Sequence, residues 1–154
     1  PLIKKEFSRI MSLKDGLKKM SKSEVSDLSR INLTDDKDQI INKIKKAKTD
    51  TLPLPSKIEE LDKRPEAKNL IGIYSSLMNN TLQKSVDEFA GKNFSEFKEK
   101  LSDVVVNEIN PISLKIKELL DDKVFLEKIL KDGYEKANEI ASKKIKKIHE
   151  IVGF

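Results

Sequence analysis

The stretch FSEFKEKLSDVVVNEINPISLKIKEL, residues 94–119, carries the longest apolar pattern in the chain. Its apolar side chains recur every three or four residues, a spacing that places them on one face of an α-helix. They are Phe94, Phe97, Leu101, Val104, Val105, Ile109, Ile112, Ile116 and Leu119. The period continues through Pro111 without a change of phase, so we expect this proline to kink the helix rather than to end it.

Helical spacing is also found upstream of this stretch. Apolar residues at 40, 44 and 47 predict a helix from Asp36 to about Lys48, with the polar residues 34–36 at its start. Pro65 is well placed to begin the next helix. The predicted buried face of that helix consists of Ala67, Leu70, Ile71, Tyr74, Leu77 and Met78. A short helix capped by Thr81 is expected to end at Gly91.

Downstream of residue 119, the pattern predicts two further helices. The first starts at Asp121 or Asp122 and stops at Gly133. The second, C-terminal helix is expected to bury Tyr134, Ala137, Ala141, Ile145, Ile148 and Val152. Because no segment after Asp36 alternates with period two, the sequence predicts a mainly α fold with five or six helices in a bundle.

The first third of the chain has a different pattern. Leu2 and Ile3, followed by the apolar stretch at 9–13, precede the turn signal Asp15-Gly16 and are too short for a helix. We interpret them as the last strand of a sheet. Residues 29–33 form a second short extended stretch, and the proline-containing segment 49–64 is expected to be a linker or surface loop.

Composition excludes several classes of protein. The 154 residues contain no cysteine and one histidine, which excludes a disulfide scaffold, a thiolate zinc site and a histidine-rich metal site. No apolar run is long enough to span a bilayer, so we expect a soluble, cytoplasmic protein without a membrane partner. The chain begins at Pro1 rather than Met, and we expect it to be an internal piece of a longer protein.

The net charge of +5 is concentrated in the first third of the chain. Residues 1–50 contain 13 Lys and Arg against 8 Asp and Glu, whereas residues 51–154 contain 18 of each. A local positive field of this kind favours an anionic ligand such as ATP or RNA. The alternative interpretation is a solvated lysine-rich surface.

The loop Lys18-Lys19-Met20-Ser21-Lys22-Ser23 is the strongest candidate site within this basic region. Three lysines and two hydroxyls lie within six residues, just after a turn. Lysine ammonium groups bind phosphates as point charges, and hydroxyl and backbone N–H groups add directional hydrogen bonds. A polyphosphate is therefore the expected ligand.

Other residue patterns give weak support for chemistry. Ser95 and Lys98 have a Ser-x-x-Lys spacing but lie at a helix start, where both are ordinary surface residues. His149 has no second His or Cys with which to form a site. The acidic residues Asp35, Asp36 and Asp38 suggest a magnesium site, but their position at a helix start is explained by the helix dipole.

The five residues Lys19-Met20-Ser21-Lys22-Ser23 read KMSKS, and this motif resembles the ATP-binding signature of class I aminoacyl-tRNA synthetases. The flanking sequences extend the match across essentially the whole chain. They are RIMSL at 9–13, SRINLTD at 29–35, KTD at 48–50, NLIGIY at 69–74, FK at 97–98, NPI at 110–112 and GYEKA at 133–137. In order and spacing, the sequence resembles the C-terminal part of the bacterial tryptophanyl-tRNA synthetase family.

The resemblance implies an architecture and a reaction. Residues 1–35 would be the C-terminal edge of a Rossmann-like catalytic domain, with its last strand and the KMSKS loop, and residues 36–154 a helical anticodon-binding domain. The family activates L-tryptophan with ATP, accompanied by Mg²⁺, and transfers the tryptophanyl group to tRNA(Trp). The resemblance implies a homodimer for the full-length enzyme and no protein-bound metal in this chain.

The motif also implies site residues. Lys19 and Lys22 would be catalytic and would hold the β- and γ-phosphates of ATP. Ser21 and Ser23 would lie beside them, Met20 would pack as the loop closes, and Ile10 on the preceding strand would contact the adenosine. Contacts that strengthen as charge grows on the leaving pyrophosphate are those that accelerate the first step.

Two departures from the family pattern limit this correspondence. Glu24-Val25 stands where many relatives have Asp-Pro, which changes the stiffness of the loop without removing a phosphate donor. The histidine-glycine motif of the nucleotide-binding fold and the tryptophan pocket are not in this sequence. We therefore expect the isolated 154 residues not to activate tryptophan.

Two alternatives remain open at this point. One is a non-catalytic, basic helical module that binds RNA and carries a KMSKS string by coincidence. The other is a relative of the tyrosine enzyme, which shares the fold and differs in the amino-acid pocket. The lysines at 143, 144, 146 and 147 are weak candidates for RNA contact, since a solvated helix face explains them equally well.

Overall fold

A computed structural model of the chain describes residues 8–153, and their regular structure is helical. The five α-helices are α1 (Lys37–Lys45), α2 (Pro65–Leu77), α3 (Leu82–Phe89), α4 (Phe94–Asp121) and α5 (Lys123–Val152). Two 3₁₀ helices span Asp27–Ser29 and Ile58–Lys63. The mainly α fold predicted from the sequence is confirmed.

Local signals predicted most of the helix boundaries. Asp36 caps α1 through a capping box with Gln39, and Thr81 accepts a hydrogen bond from the backbone of Lys84 at the start of α3. Pro65 is the first residue of α2. Gly91, just after α3, has a φ of +71°, in the left-handed region that favours glycine. As expected, α4 continues through Pro111.

The helices up to Ser113 belong to one compact unit with a continuous apolar core. Tyr74, Phe89 and Phe97 meet edge to face at its centre, with ring centroids 4.8–6.0 Å apart. Most of the predicted apolar stripe on α2 is buried here, whereas Met78 is 43% exposed. Leu13, from the segment before the KMSKS loop, is also a core residue, so this segment packs with the helices.

The second unit begins at Leu114 and contains the end of α4 and all of α5. The prediction of a stop at Gly133 is wrong, because α5 continues through this residue to Val152. An interior glycine costs a helix about 1 kcal/mol, which the flanking helix-forming residues outweigh. The predicted burial is also wrong, since no residue of α5 is buried. An apolar stripe shows which face would be covered, not that a partner covers it.

Segment 49–64 is a surface loop that is fixed to the core rather than a free linker. The guanidinium of Arg64 makes a bidentate ion pair with Asp50, at 2.6 and 2.9 Å, and donates to the carbonyl of Pro53 at 2.7 Å. Leu54 is buried and exchanges backbone hydrogen bonds with Gly91 and Lys92. These contacts place residues 49–64 against the α3–α4 connection.

The predicted N-terminal strand is present only as an isolated β-bridge between Met11 and Lys19, and no strand is found in residues 8–153. The part of this prediction that involves Leu2 and Ile3 lies outside the described residues. Across the same range, no helix has the length and apolar character needed to cross a membrane.

Candidate functional site

The KMSKS loop is the returning arm of a short antiparallel turn. The Met20 N–H donates to the carbonyl of Ile10 at 3.1 Å, and the Ser12 N–H donates to the carbonyl of Lys18 at 2.7 Å. Together with the Met11–Lys19 bridge, these bonds place the first residues of the motif beside residue 10. The backbone of the turn therefore sets the position of Lys19 and Met20, the first two residues of the motif.

The tip of this turn is packed against the first turn of α2. A Cβ atom on Gly16 would lie 2.6 Å from the backbone N of Glu66 and the backbone C of Pro65, so only glycine fits there. The Glu66 carboxylate lies 2.8 Å from the Lys48 ammonium, and this hydrogen bond lowers the pKa of Glu66. A backbone hydrogen bond with Gly16 acts in the same direction.

Asn69 of α2 fixes the arm that leads into the turn, at Met11. Its side-chain oxygen accepts a hydrogen bond from the Met11 N–H at 2.9 Å, and its amide nitrogen donates to the Met11 carbonyl at 2.9 Å. The carboxamide thus satisfies both backbone groups of Met11, as a neighbouring strand would. These two hydrogen bonds fix the segment before the loop against a core helix.

A cavity of about 310 Å³ lies between the two arms and the segment at residues 30–31. Five of the six predicted ATP-binding residues line it, namely Ile10, Lys19, Met20, Ser21 and Lys22. Four further described residues complete the lining, namely Ser8, Arg9, Arg30 and Ile31. Ser23 is not among the described lining residues, and its hydroxyl lies 2.9 Å from that of Ser21.

Charge and exposure at this cavity suit a phosphate ligand. Four cationic side chains line it, those of Arg9, Lys19, Lys22 and Arg30. The two lysines are exposed, so they retain freedom to move toward a ligand, while Met20 and Ile31 pack against the core beneath. Exposed lysines above an apolar surface suit a nucleotide, which carries charged phosphates and a flat base.

Two of the acidic residues at 35–38 have structural roles. Asp35 is 4% exposed and forms an ion pair of 2.6 Å with the buried Lys43, while Asp36 caps α1. No group of three or more acidic or histidine side chains suited to a metal ion occurs in the described part of the chain.

Lys98 is buried, contrary to its interpretation as an ordinary surface residue. Its ammonium donates to the carbonyls of Lys45 and Ala47, at 3.1 and 2.6 Å. It thus supplies donors to the C-terminal end of α1, where carbonyls have no partner within the helix. Burial lowers the pKa of Lys98.

Comparison with known proteins places the chain in a family. The family model described as tRNA synthetases class I (W and Y) matches residues 2–110. The chain belongs to this family. The KMSKS turn, its cavity and helices α1–α3 all lie within the matched range.

Individual relatives match along the whole chain. The tryptophan–tRNA ligase of Agrobacterium fabrum is 51% identical over 154 residues, and that of Rickettsia felis is 49% identical over 153 residues. The chain covers 44% and 46% of these two relatives, less than half of their length.

Solved structures of the family share the fold. The tryptophanyl-tRNA synthetase of Mycoplasma pneumoniae superposes with a TM-score of 0.74 at 24% identity, covering 98% of this chain and 45% of that one. The corresponding structure from Campylobacter jejuni gives 0.70 at 25% identity, covering 95% and 44%.

Proposed function

We propose that the chain is the C-terminal part of a tryptophan–tRNA ligase. In the full-length protein, it would take part in activating L-tryptophan with ATP and in transferring the tryptophanyl group to tRNA(Trp). The observation that carries this proposal is the cavity that brings Ile10 together with Lys19 and Lys22 in a chain 51% identical to a tryptophan–tRNA ligase. A cytoplasmic location and a homodimer are part of the same proposal.

In the activation step, a carboxylate oxygen of tryptophan attacks the α-phosphorus of ATP. The new O–P bond forms as the bond from the α-phosphorus to the bridging oxygen breaks, and pyrophosphate leaves with that electron pair. Lys19 and Lys22 would hold the β- and γ-phosphates, where negative charge grows. A lysine about 4 Å from a phosphate oxygen contributes roughly 4 kcal/mol of attraction at a surface-like effective dielectric.

The remaining lining residues would orient the nucleotide. Ile10 offers an apolar contact for the adenosine, being 46% exposed at the cavity edge. Ser21 lines the cavity, and its hydroxyl lies within hydrogen-bonding distance of the Ser23 hydroxyl, so the two would act as a pair beside the phosphates. Met20, half-buried on the core, would pack as the loop closes.

Mg²⁺ would accompany ATP as its counter-ion. Its ligands would be phosphate oxygens and water, the usual arrangement for magnesium with nucleotides. Arg9, Lys19 and Lys22 of the cavity suit the remaining phosphate charge, whereas Arg30 is paired with Asp27.

The domain boundary is proposed at residues 35 and 36. Residues 1–35 would complete the edge of the catalytic domain, and residues 36–154 would form the anticodon-binding domain. The ion pair of Asp35 with Lys43, on α1, joins the two segments at this boundary.

The proposal is tested in the full-length protein by tryptophan-dependent exchange of pyrophosphate into ATP. Lys22→Ala should slow the exchange by about 10²–10³-fold, the cost of removing one group that stabilises developing charge. Lys14→Ala is the matched control, since Lys14 is an exposed lysine of the same turn that does not line the cavity. Replacing tryptophan with tyrosine should abolish exchange.

The same variants distinguish a ligase from an RNA-binding module. A ligase should lose adenylate formation in Lys22→Ala while it keeps most of its affinity for tRNA(Trp). Loss of tRNA affinity with normal exchange would contradict the proposal. For the isolated 154-residue chain, exchange above background would contradict the expectation that the missing part of the protein is needed for activation.

A further inference from the structure

Residues 24–27 follow the KMSKS loop, and we call them the base of the loop. They are held by the guanidinium of Arg30. Its Nη1 donates to the backbone carbonyls of Glu24 and Ser26, at 2.9 and 3.5 Å. Its Nη2 forms an ion pair with Asp27 at 3.1 Å. These contacts lie on both sides of Val25 in the sequence. Val25 itself is 99% exposed and contributes nothing to the core. Arg30 therefore fixes a segment that has no apolar anchor of its own.

Asp27 connects this arginine to helix α1. Its Oδ1 accepts from Arg30 and from the side-chain amide of Asn32, the latter at 3.0 Å. Its Oδ2 lies 2.7 Å from the ammonium of Lys43. The hydrogen bond from Lys43 lowers the pKa of Asp27, followed in size by that from Asn32.

The far end of this connection is rigid. Lys43 is 3% exposed and is also paired with buried Asp35, while the next residue, Ile44, is fully buried in the core. Helix α1, which carries Lys43, is capped at its N-terminus by the Asp36 capping box. The ion pairs Arg30–Asp27 and Asp27–Lys43 therefore link the base of the KMSKS loop to a fixed point of the fold.

We propose that Asp27 and Arg30 are positioning residues that hold the base of the KMSKS loop in the arrangement that binds ATP. This inference rests on the proposed function and adds two residues to its site. Arg30 lines the cavity, but its guanidinium is occupied by protein acceptors, so it acts on the loop backbone. A loosened base would populate the competent loop less often, and the apparent affinity for ATP would fall by the same factor.

The kinetic test uses full-length protein and tryptophan-dependent exchange. Asp27→Asn should fold, since the Asp27 side chain is 57% exposed and the change is isosteric. It should raise KM for ATP by about two- to fivefold, in line with the modest strength of exposed ion pairs, with kcat and KM for tryptophan unchanged. Arg30→Lys, which keeps the charge but loses the fork, should have the same effect.

The double variant should be no worse than the more impaired single variant, because both changes break the same connection. The matched control is Asp62→Asn, which removes an exposed ion pair with Lys68 far along the sequence from the loop. This control should leave KM for ATP unchanged. Additive effects, an unchanged KM for ATP, or an equal rise in KM for tryptophan would overturn the inference.

A rescue variant separates positioning from general stability. No hydrogen bond from the Val25 N–H is found within residues 8–153, so a proline there removes none. Because proline restricts the backbone, Val25→Pro should return KM for ATP in the Asp27→Asn protein at least halfway to the wild-type value. Failure of this rescue would show that the stiffness of the base is not what Asp27 supplies.

A readout without catalysis separates this inference from the proposed function. Trypsin cuts after exposed lysines in mobile segments, and cleavage after Lys22 should become about two- to fivefold faster in Asp27→Asn. Unchanged cleavage would overturn the inference even in an active enzyme. Faster cleavage in a full-length protein without tryptophan-dependent exchange would support the anchored loop and overturn the ligase.

Discussion

The carboxamide of Asn69 hydrogen-bonds to both backbone groups of Met11, with each bond 2.9 Å long. Asn69 lies on α2, and Met11 lies on the arm that leads into the KMSKS loop. Because the two residues are 58 positions apart, this pair fixes the KMSKS turn against a helix from a distant part of the chain. The position of the loop therefore depends on the helical unit as well as on its own turn.

Replacing Asn69 should destabilise the turn. Asn69→Ala removes the two hydrogen bonds to the half-buried Met11 backbone and a longer one, of 3.5 Å, to the Ser12 carbonyl. We expect a cost of about 2 kcal/mol in the free energy of unfolding. Urea denaturation of the 154-residue chain measures this loss. Asn107→Ala, at an exposed position of α4, is the control and should change stability by less than about 0.5 kcal/mol. Equal losses in both variants would contradict a special role for Asn69.

Two glycines should respond in opposite directions to the same substitution. Gly16→Ala places a methyl group 2.6 Å from backbone atoms of α2, which must shift, and should destabilise by about 1–3 kcal/mol. Gly133→Ala meets no atom within 4 Å inside α5 and should favour the helix by about 0.5–1 kcal/mol. Thermal unfolding and helical circular dichroism of the two variants measure these changes. A stabilising Gly16→Ala would contradict the close contact with α2.

The sequence predicted features that depend on neighbours along the chain. Asp36 and Thr81 cap helices as expected, because a cap requires a side chain only three residues from the N–H that it satisfies. The family resemblance predicts that the KMSKS loop and Ile10 belong to one site, and in the structure Ile10, Lys19 and Lys22 line one cavity.

Features whose partners are distant or follow no helical pattern were missed, and one local signal was misread. Asn69 has no local signal, because its partner backbone lies 58 residues upstream. Arg30 lies in the SRINLTD stretch that resembles the family, but its four acceptors along residues 24–32 follow no periodic pattern. The stop at Gly133 was wrong because a glycine signal is weak inside a long run of helix-forming residues.

Lys98 should contribute to stability through the end of α1. Lys98→Met keeps a long apolar stem but removes the ammonium that bonds to the carbonyls of Lys45 and Ala47. We expect a loss of about 1–3 kcal/mol, since hydrogen bonds from a charged donor are strong and the lower desolvation cost of Met offsets part of them. Urea denaturation tests this, with the exposed Lys100→Met of the same helix as control. Equal stability of Lys98→Met and wild type would contradict the capping role.

Tyr74 should make stability depend on alkaline pH. Its hydroxyl donates to the Glu88 carboxylate at 2.9 Å, and burial, followed by this hydrogen bond, raises the pKa of Tyr74 to about 12. The folded state therefore holds the phenolic proton more tightly than the unfolded chain, in which the pKa is about 10. The protonated Tyr74 hydroxyl therefore contributes up to about 3 kcal/mol to the free energy of unfolding. This contribution is complete below pH 10 and is lost as the pH rises through 12.

The difference between wild type and Tyr74→Phe isolates this effect, because every other ionisable side chain is common to both proteins. The wild-type advantage in the free energy of unfolding should shrink between pH 10 and 12, as measured by urea denaturation at each pH. In a Tyr134→Phe background, Tyr74 is the only tyrosine of the chain, and its absorbance near 295 nm should rise with a midpoint near pH 12. A midpoint near pH 10 in the folded protein would show that Tyr74 is neither buried nor bonded to Glu88 as the structure has it.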